Sequence, residues 1–325
     1  MRYRCLASAF AIALFGIQGA LAQSSSCTVS ALVTVVDRHS YLPIDGLAAK
    51  EFMAKFQGSE VAIHSVSRAP SPRRFVFVID RSASMVARHD ETPRGAYDPA
   101  YLSSAILDDS FKAIPRSDSV ALLVFAGVFS DEAPFSDPPT AALKMHELLK
   151  WSASGKGNKH RTPLWDNIDA ALRMFGTPRE GDAIIVVSDG GDNLSKLRQS
   201  DLQKRLLAAG VPVLAMKLSD PFAATPEELM GSGEFIELAK NTGGSAIFIG
   251  QALSSPDTDV VLHVRPGQLI RLLAHQYRLE LEIPALPKPE KWHLELASSD
   301  PHRGALILYP RVLPSCVTSD PTVSK

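Results

Sequence analysis

Three short polar stretches contain the residues of this chain that are best suited to chemistry. Asp80, Ser82 and Ser84 lie in DRSAS, directly after the apolar run FVFVI. Thr162 opens a helical pattern in TPLWD, and Asp189 follows the apolar run AIIVV. Two carboxylates and three hydroxyls, with no His or Cys ligand pattern beside them, suit a hard cation such as Mg²⁺ or Mn²⁺ better than Zn²⁺. For DRSAS taken alone, a turn that caps a helix remains the alternative.

The apolar runs of the middle of the chain predict buried strands. Each run is apolar on successive residues, so both faces of the strand must be covered, as in a parallel sheet between helices. The runs span residues 75–79, 120–125, 183–187 and 211–216. Helical patterns between them, one of which ends at Gly210 as a helix cap, predict a doubly wound, Rossmann-like α/β domain over residues 73–250.

The polar stretches follow these strands in a way that places them together. Ligands of open α/β sheets bind beyond the carboxyl ends of the parallel strands. Asp80 and Asp189 each come straight after such a strand, and Thr162 begins a helix. We therefore expect the three stretches to meet at one edge of the sheet, and we expect the charged segments 87–98 and 129–139 to form loops around that edge.

The two ends of the chain show a different pattern, in which apolar and polar residues alternate. Such alternation is typical of antiparallel strands with one buried face. The alternating segments and those that can join them span residues 277–283, 292–296, 31–36, 60–66 and 305–309. We predict a small antiparallel β-sandwich made from an N-terminal segment, 23–70, and a C-terminal segment, 276–313, with the α/β domain inserted between them. Residues 251–275 form a connecting segment and 314–325 a tail.

Residues 1–22 have the layout of a secretory signal peptide. Arg2 and Arg4 precede an apolar core, and small residues precede a cleavage site after Ala22. We expect a secreted or periplasmic protein whose mature chain has no transmembrane helix, with an uncleaved anchor as the alternative. Removing Arg2 and Arg4 from the 34 basic residues leaves 32 against 35 acidic ones, so no nucleic-acid partner is expected.

The cysteines that remain after such cleavage, Cys27 and Cys316, lie close to the two ends of the mature chain. In an oxidising compartment this pair is a disulfide candidate that would join the N- and C-terminal segments. Lipidation of Cys27 is the alternative, although SSSC lacks the leucine that usually stands three residues before a lipoprotein cysteine.

DRSAS, TPLWD and VVSDG, in this order within an α/β domain, resemble the metal-ion-dependent adhesion site (MIDAS) of von Willebrand factor type A (VWA) domains. The resemblance implies that Ser82, Ser84 and Thr162 bind the cation directly, and that Asp80 and Asp189 hold it mainly through water. It also implies a partner protein whose acidic side chain completes the coordination sphere. All five positions of the motif are present here.

The flanking segments resemble a bacterial subgroup, the secreted VWFA-related proteins of acidobacterial type. Arg81 departs from the family pattern, since a small residue is common at that position. Its charge could dock an acidic partner or weaken metal binding by repulsion; we expect docking. His160, close to Thr162, is a further candidate for partner contact, with an exposed loop histidine as the alternative.

We therefore expect a metal-dependent, adhesion-type binding module and not an enzyme. An accessory scaffold subunit of a cell-envelope complex is the alternative, and a hydrolase is the third class. Phosphatases that form an aspartyl-phosphate need a second aspartate where Ser82 stands. The chain also lacks a Gly-x-Ser-x-Gly nucleophile elbow, and the segment 155–162 lacks the ending of a phosphate-binding loop.

Overall fold

Two sheets built from different kinds of strand make up the computed structural model, which describes residues 26–85, 99–152, 161–218, 226–249, 261–297, 301–302 and 304–316. The predicted signal peptide lies outside these residues. The strands are β1 (Ser26–Val36), β2 (Phe52–Phe56), β3 (Ser59–Arg68), β4 (Arg74–Asp80), β5 (Ser119–Ala126), β6 (Phe129–Ser136), β7 (Ala183–Ser188), β8 (Val213–Leu218), β9 (Ala246–Ile249), β10 (Tyr277–Pro284), β11 (Glu290–Leu296), β12 (Leu306–Leu308) and β13 (Val312–Leu313). The helices are α1 (Pro99–Ala113), α2 (Pro138–Ser152), α3 (Leu164–Met174), α4 (Gln199–Ala209), α5 (Pro226–Thr242) and α6 (Pro266–Leu273).

The sheet formed by the middle of the chain has the strand order β6-β5-β4-β7-β8-β9. All neighbours in it run parallel except β6, which pairs antiparallel with β5. The four predicted apolar strands are present as β4, β5, β7 and β8. The interpretation of residues 129–139 as a charged loop is wrong for 129–136, because these residues form the edge strand β6. An edge strand needs only one covered face, so its sequence can be polar.

Helices cover both faces of this sheet, as the predicted α/β class requires. Alternate residues of β4 point to opposite sides: Phe75, Phe77 and Ile79 pack with α1, α2 and α6. Val76 and Val78 pack with α3, α4 and α5. Gly210 ends α4 in the left-handed conformation with φ of 65°, as expected of a helix cap.

The two ends of the chain pair with each other in an antiparallel sheet of order β12-β1-β10-β3-β2-β11-β13. The antiparallel pairing of both ends is confirmed, but the predicted sandwich of two sheets is only partly seen. The reason is β3, which pairs with β10 on one side and with β2 on the other and so joins the strands into one sheet. The short strands β2 and β13 were not expected.

This antiparallel sheet must curl strongly. Its two edge strands, β12 and β13, are separated by only residues 309–311, a span of about 14 Å at most. Seven flat strands would place the two edges about 29 Å apart. The curl encloses a core that includes Val33, Phe52, Leu279 and Trp292.

The two sheets are connected where β3 leads to β4 and where α6 leads to β10. Arg68, the last residue of β3, pairs with Tyr277, the first residue of β10. Both connections therefore leave the antiparallel sheet side by side. In the described part of the chain, none of the helices has the length and apolar character needed to span a bilayer. The division of the chain into domains stays a prediction.

Candidate metal centre

Two neighbouring parallel strands, β4 and β7, bring the aspartates of the candidate site to one edge of the α/β sheet. Asp80 is the last residue of β4, and Asp189 follows Ser188, the last residue of β7. The register pairs Ile79 with Val187. The two carboxylates thus leave adjacent strands at the same level, at the edge of the sheet that the sequence pattern predicts.

Asp80 is held from both strands. It is fully buried; its Oδ1 accepts a hydrogen bond from the Ser82 backbone N at 2.8 Å, and its Oδ2 accepts one from Ser188 Oγ at 2.7 Å. Ser188 Oγ in turn accepts a hydrogen bond from the backbone N of Gly190 at 3.0 Å. Ser188 belongs to the VVSDG stretch, but its type and position alone did not single it out as a ligand-supporting residue.

The two serines of DRSAS lie at a single 3₁₀ turn, Ala83–Met85, shortly after β4: Ser84 is part of the turn, and Ser82 directly precedes it. Ser82 Oγ and Ser84 Oγ are 3.2 Å apart. Ser82 is buried and Ser84 is exposed. The turn therefore gathers two neutral oxygen donors at the end of the strand that carries Asp80.

Asp189 is buried beside this turn and has one carboxylate oxygen without a partner. Its Oδ1 accepts a hydrogen bond from the backbone N of Gly191 at 3.1 Å, whereas its Oδ2 is buried and has no hydrogen-bond partner among the described residues. Gly231 of α5 lies against this loop so closely that a Cβ there would be 2.3 Å from the carbonyl oxygen of Gly190. A bare glycine backbone thus lets α5 press on the Asp189 loop, a role that the sequence pattern did not reveal.

Thr162 is fixed to the loop after β7. Its backbone N donates to Asn193 Oδ1 at 2.7 Å, and the Asn193 backbone N donates to the carbonyl oxygen of Thr162 at 3.0 Å. Asp192 Oδ1 accepts hydrogen bonds from the backbone N of Leu164 at 2.8 Å and of Trp165 at 3.4 Å. Asp192 therefore caps the start of α3 from a separate loop.

The electrostatics of the site disfavour two ionised carboxylates. Burial, and then the neighbouring Asp189 charge, raise the pKa of Asp80 from 3.8 to about 7 despite the hydrogen bonds from Ser82 and Ser188. A cation beside both carboxylates would remove this repulsion. In the part of the chain that the structure describes, no group of three or more His, Cys, Asp or Glu side chains is arranged to hold a metal ion by itself. A cation at this edge would therefore take its remaining protein oxygens from hydroxyls.

Of the two residues predicted to bind a partner, the structure describes Arg81 but not His160. Arg81 is only 5% exposed, and its backbone N donates to the carbonyl oxygen of Phe125 at 2.8 Å. A partner would reach its guanidinium only after neighbouring groups move, and its docking role stays a prediction. His160 and the charged segment 87–98 lie outside the described residues.

Cys27 and Cys316 form a disulfide with their Cα atoms 6.4 Å apart. Next to it, Leu286 and Cys316 exchange two backbone hydrogen bonds of 2.7 and 2.8 Å. The link therefore joins the start of β1 to the segment after β13, both in the antiparallel sheet.

No protein-family model and no curated protein matches the sequence. Solved structures match in part, among them the conserved hypothetical protein BatB from Bacteroides thetaiotaomicron, with 20% identity over 56% of this chain and 92% of that one and a TM-score of 0.42. An aerotolerance-related membrane protein from Bacteroides fragilis has 21% identity over 55% and 92% of the two chains and a TM-score of 0.41. A von Willebrand factor type A protein from Catenulispora acidiphila has 11% identity over 89% and 73% and a TM-score of 0.42. At these sequence identities and TM-scores, the similarities do not indicate the function of this chain.

Proposed function

We propose that this chain is a secreted or periplasmic protein-binding module of the VWA class whose five MIDAS residues hold Mg²⁺ or Mn²⁺. The ligand set is Asp80, Ser82, Ser84, Thr162 and Asp189. When bound, the cation would supply an electrophilic coordination position for an acidic side chain of a partner protein. The partner, the cation and the adhesion-type role all belong to the proposal.

The observation that supports it most strongly is the unsatisfied oxygen of Asp189. A buried carboxylate oxygen without a hydrogen bond is costly, and here it lies close to a second buried carboxylate, Asp80. Such an arrangement is destabilising unless something positive neutralises it. The five residues of the proposed ligand set all offer oxygen donors, which matches the preference of hard cations.

Further residues of this chain would hold the ligands of such a cation in position. Ser188 fixes the Asp80 carboxylate and thereby its direction, and Asp192 and Asn193 fix the helix start that carries Thr162. The three hydroxyls add no negative charge, and the two aspartates would hold the ion mainly through water, so the ion would stay electrophilic toward a carboxylate from outside.

Binding rather than catalysis fits the hydroxyl contacts of the site. Among the described residues, Ser82 Oγ is bonded to Ser84 Oγ and to no histidine that could activate it as a nucleophile. The extracellular location is supported by the signal-peptide pattern of residues 1–22 and by the Cys27–Cys316 disulfide, which suits an oxidising compartment.

The test is the thermal unfolding of the mature protein in EDTA, Mg²⁺ and Mn²⁺, together with calorimetric titration of each metal. A cation at about 100 times its Kd should stabilise the fold by roughly 2.7 kcal/mol. Asp189→Asn should abolish this gain, and Glu147→Gln, which removes one charge from the exposed surface of α2, should keep it. Absence of binding by titration in the parent protein would refute the metal site.

A further inference from the structure

A cavity of about 380 Å³ opens beside the candidate metal centre, on the far side of the loop after β7. Its polar lining comes from Asp192, Arg198, Gln199, Ser200 and Glu234, and Trp165 contributes an aromatic wall. The cavity is large enough to take a side chain of a partner protein.

Two donors in this cavity lack acceptors within the described part of the chain. Arg198 is exposed, and its guanidinium forms no hydrogen bond or ion pair there, although its charge acts at longer range on Asp201. Gln199 Nε2 is buried and has no hydrogen-bond partner. Helix α4 begins beside them, and Arg198 provides no side-chain hydrogen bond to cap it. All of these groups can donate hydrogen bonds to an oxygen acceptor. A carboxylate is the best acceptor for an arginine because it can accept two parallel bonds.

The cavity and the candidate metal centre share a wall. Asp192 lines the cavity and holds the start of α3, while its neighbour Asn193 holds Thr162. Trp165, which also lines the cavity, is the second residue of α3, and Thr162 lies just before the N-cap of that helix. A segment lying across the loop after β7 would thus reach both places.

We propose that the partner presents two acidic side chains to this surface, one at the cation and a second in the cavity, where Arg198 and Gln199 bind its carboxylate. This inference rests on the proposed function. In an extended segment, residues two apart place their side chains on one face about 6.6 to 6.8 Å apart. The proposal takes the recognised element to be an acidic-x-acidic segment of a protein, whose two carboxylates share one face.

The acidic residues that line the cavity, Asp192 and Glu234, favour a peptide as the ligand over a small polyanion. Glu234 forms no hydrogen bond or ion pair with a described residue, and Asp192 already accepts bonds from α3. The acidic wall repels multiply charged anions, but Glu234 can accept a hydrogen bond from the backbone N–H of an extended segment.

The test uses two peptides immobilised at the same density, Gly-Asp-Gly-Asp-Gly and Gly-Asp-Gly-Asn-Gly, with binding of the mature protein measured by biolayer interferometry in Mg²⁺ and in EDTA. The first peptide should bind about tenfold more tightly, or more, in Mg²⁺. Arg198→Gln should reduce this preference to near one and leave the affinity for the second peptide unchanged. Lys204→Gln, which removes the same charge from the exposed face of α4, should keep the preference.

The outcomes separate the two proposals. Equal, EDTA-sensitive affinity of the parent protein for both peptides would overturn the second carboxylate site and leave the proposed function standing. Binding that EDTA does not change would refute the role of the cation, and binding of neither peptide in Mg²⁺ would overturn both. A preference that Arg198→Gln retains would also contradict the assignment of the cavity.

Discussion

The two sheets of this protein differ in where their charged side chains lie. In the antiparallel sheet, charged side chains stand in solvent and pair across strands, as Lys55 and Glu295 do at 2.7 Å. At the carboxyl edge of the α/β sheet, Asp80 and Asp189 are buried, and one oxygen of Asp189 has no hydrogen-bond partner in the described part of the chain. Exposed pairs contribute little to stability, whereas buried unpaired carboxylates reduce it.

This difference indicates which sheet serves mainly as support and which carries a site. Natural sequences tend to break local rules of stability where function requires it. In the antiparallel sheet the charged side chains pair in solvent, whereas the carboxyl edge of the α/β sheet buries two carboxylates close together. Substitutions in the first should therefore change stability alone, and substitutions at the second should change the response to a cation.

The largest loss of stability is expected from Trp292→Ala in the antiparallel sheet. Trp292 is 6% exposed, packs edge-on against Tyr309 at 5.1 Å and donates a hydrogen bond to the carbonyl oxygen of Pro310. Its truncation should cost about 3–5 kcal/mol in urea unfolding, with the stabilisation by Mg²⁺ unchanged. A mutant that folds but no longer responds to Mg²⁺ would contradict the separation of the two sheets.

A matched pair in α5 sharpens the comparison at the other edge. Gly231→Ala would place a Cβ 2.3 Å from the Gly190 carbonyl oxygen, so the Asp189 loop must shift at a cost of about 1–3 kcal/mol. Gly233→Ala, two residues away, meets no atom within 4 Å and should stabilise the helix by about 0.5–1 kcal/mol. Calorimetric titration should show weakened Mg²⁺ binding only for Gly231→Ala. Equal affinities in the two variants would show that the close approach does not position Asp189.

Ser84→Ala should separate cation binding from folding. Ser84 is exposed, so its loss should change the stability in EDTA by less than about 0.5 kcal/mol. Its proposed role as a ligand predicts that Mg²⁺ affinity falls about tenfold or more, about 1.4 kcal/mol. Ser65→Ala, which removes a hydroxyl bonded to Glu280 in the antiparallel sheet, should leave Mg²⁺ affinity unchanged. Unaltered affinity in Ser84→Ala would remove this residue from the ligand set.

The smallest effect is expected at Asp45, near the connection between the sheets. Burial alone would raise its pKa, but hydrogen bonds from Arg68 at 2.8 Å and His275 at 2.9 Å bring it below the ordinary value of 3.8. The ionised carboxylate therefore stabilises the fold above pH 3.8, and this contribution is lost as the pH falls through the lowered pKa. Asp45→Asn should cost about 0.2–1 kcal/mol at pH 7 and almost nothing in strong acid. Urea unfolding at several pH values measures this, and a difference that grows in acid would contradict it.

The sequence predicted the strands whose apolar pattern reflects burial on one or both faces, and it predicted that Asp80 and Asp189 lie at the carboxyl ends of parallel strands; that these strands are neighbours came only from the structure. It did not predict β6, because a polar edge strand resembles a loop. The curl of the antiparallel sheet and the approach of Gly231 to Gly190 depend on contacts between distant segments, which no local pattern records. The burial of Arg81 likewise depends on its neighbours in space.

The side-by-side connections between the sheets have a mechanical consequence. Consider a partner that pulls on the carboxyl edge of the α/β sheet while the protein is held at one end of its chain. The force would pass through both connecting segments, residues 69–73 and 274–276, because Arg68 and Tyr277 beside them are paired. The load is shared by two covalent paths rather than carried by one. The Cys27–Cys316 disulfide links the start of β1 to the segment after β13. A pulling force on either of these segments is therefore also transmitted to the other.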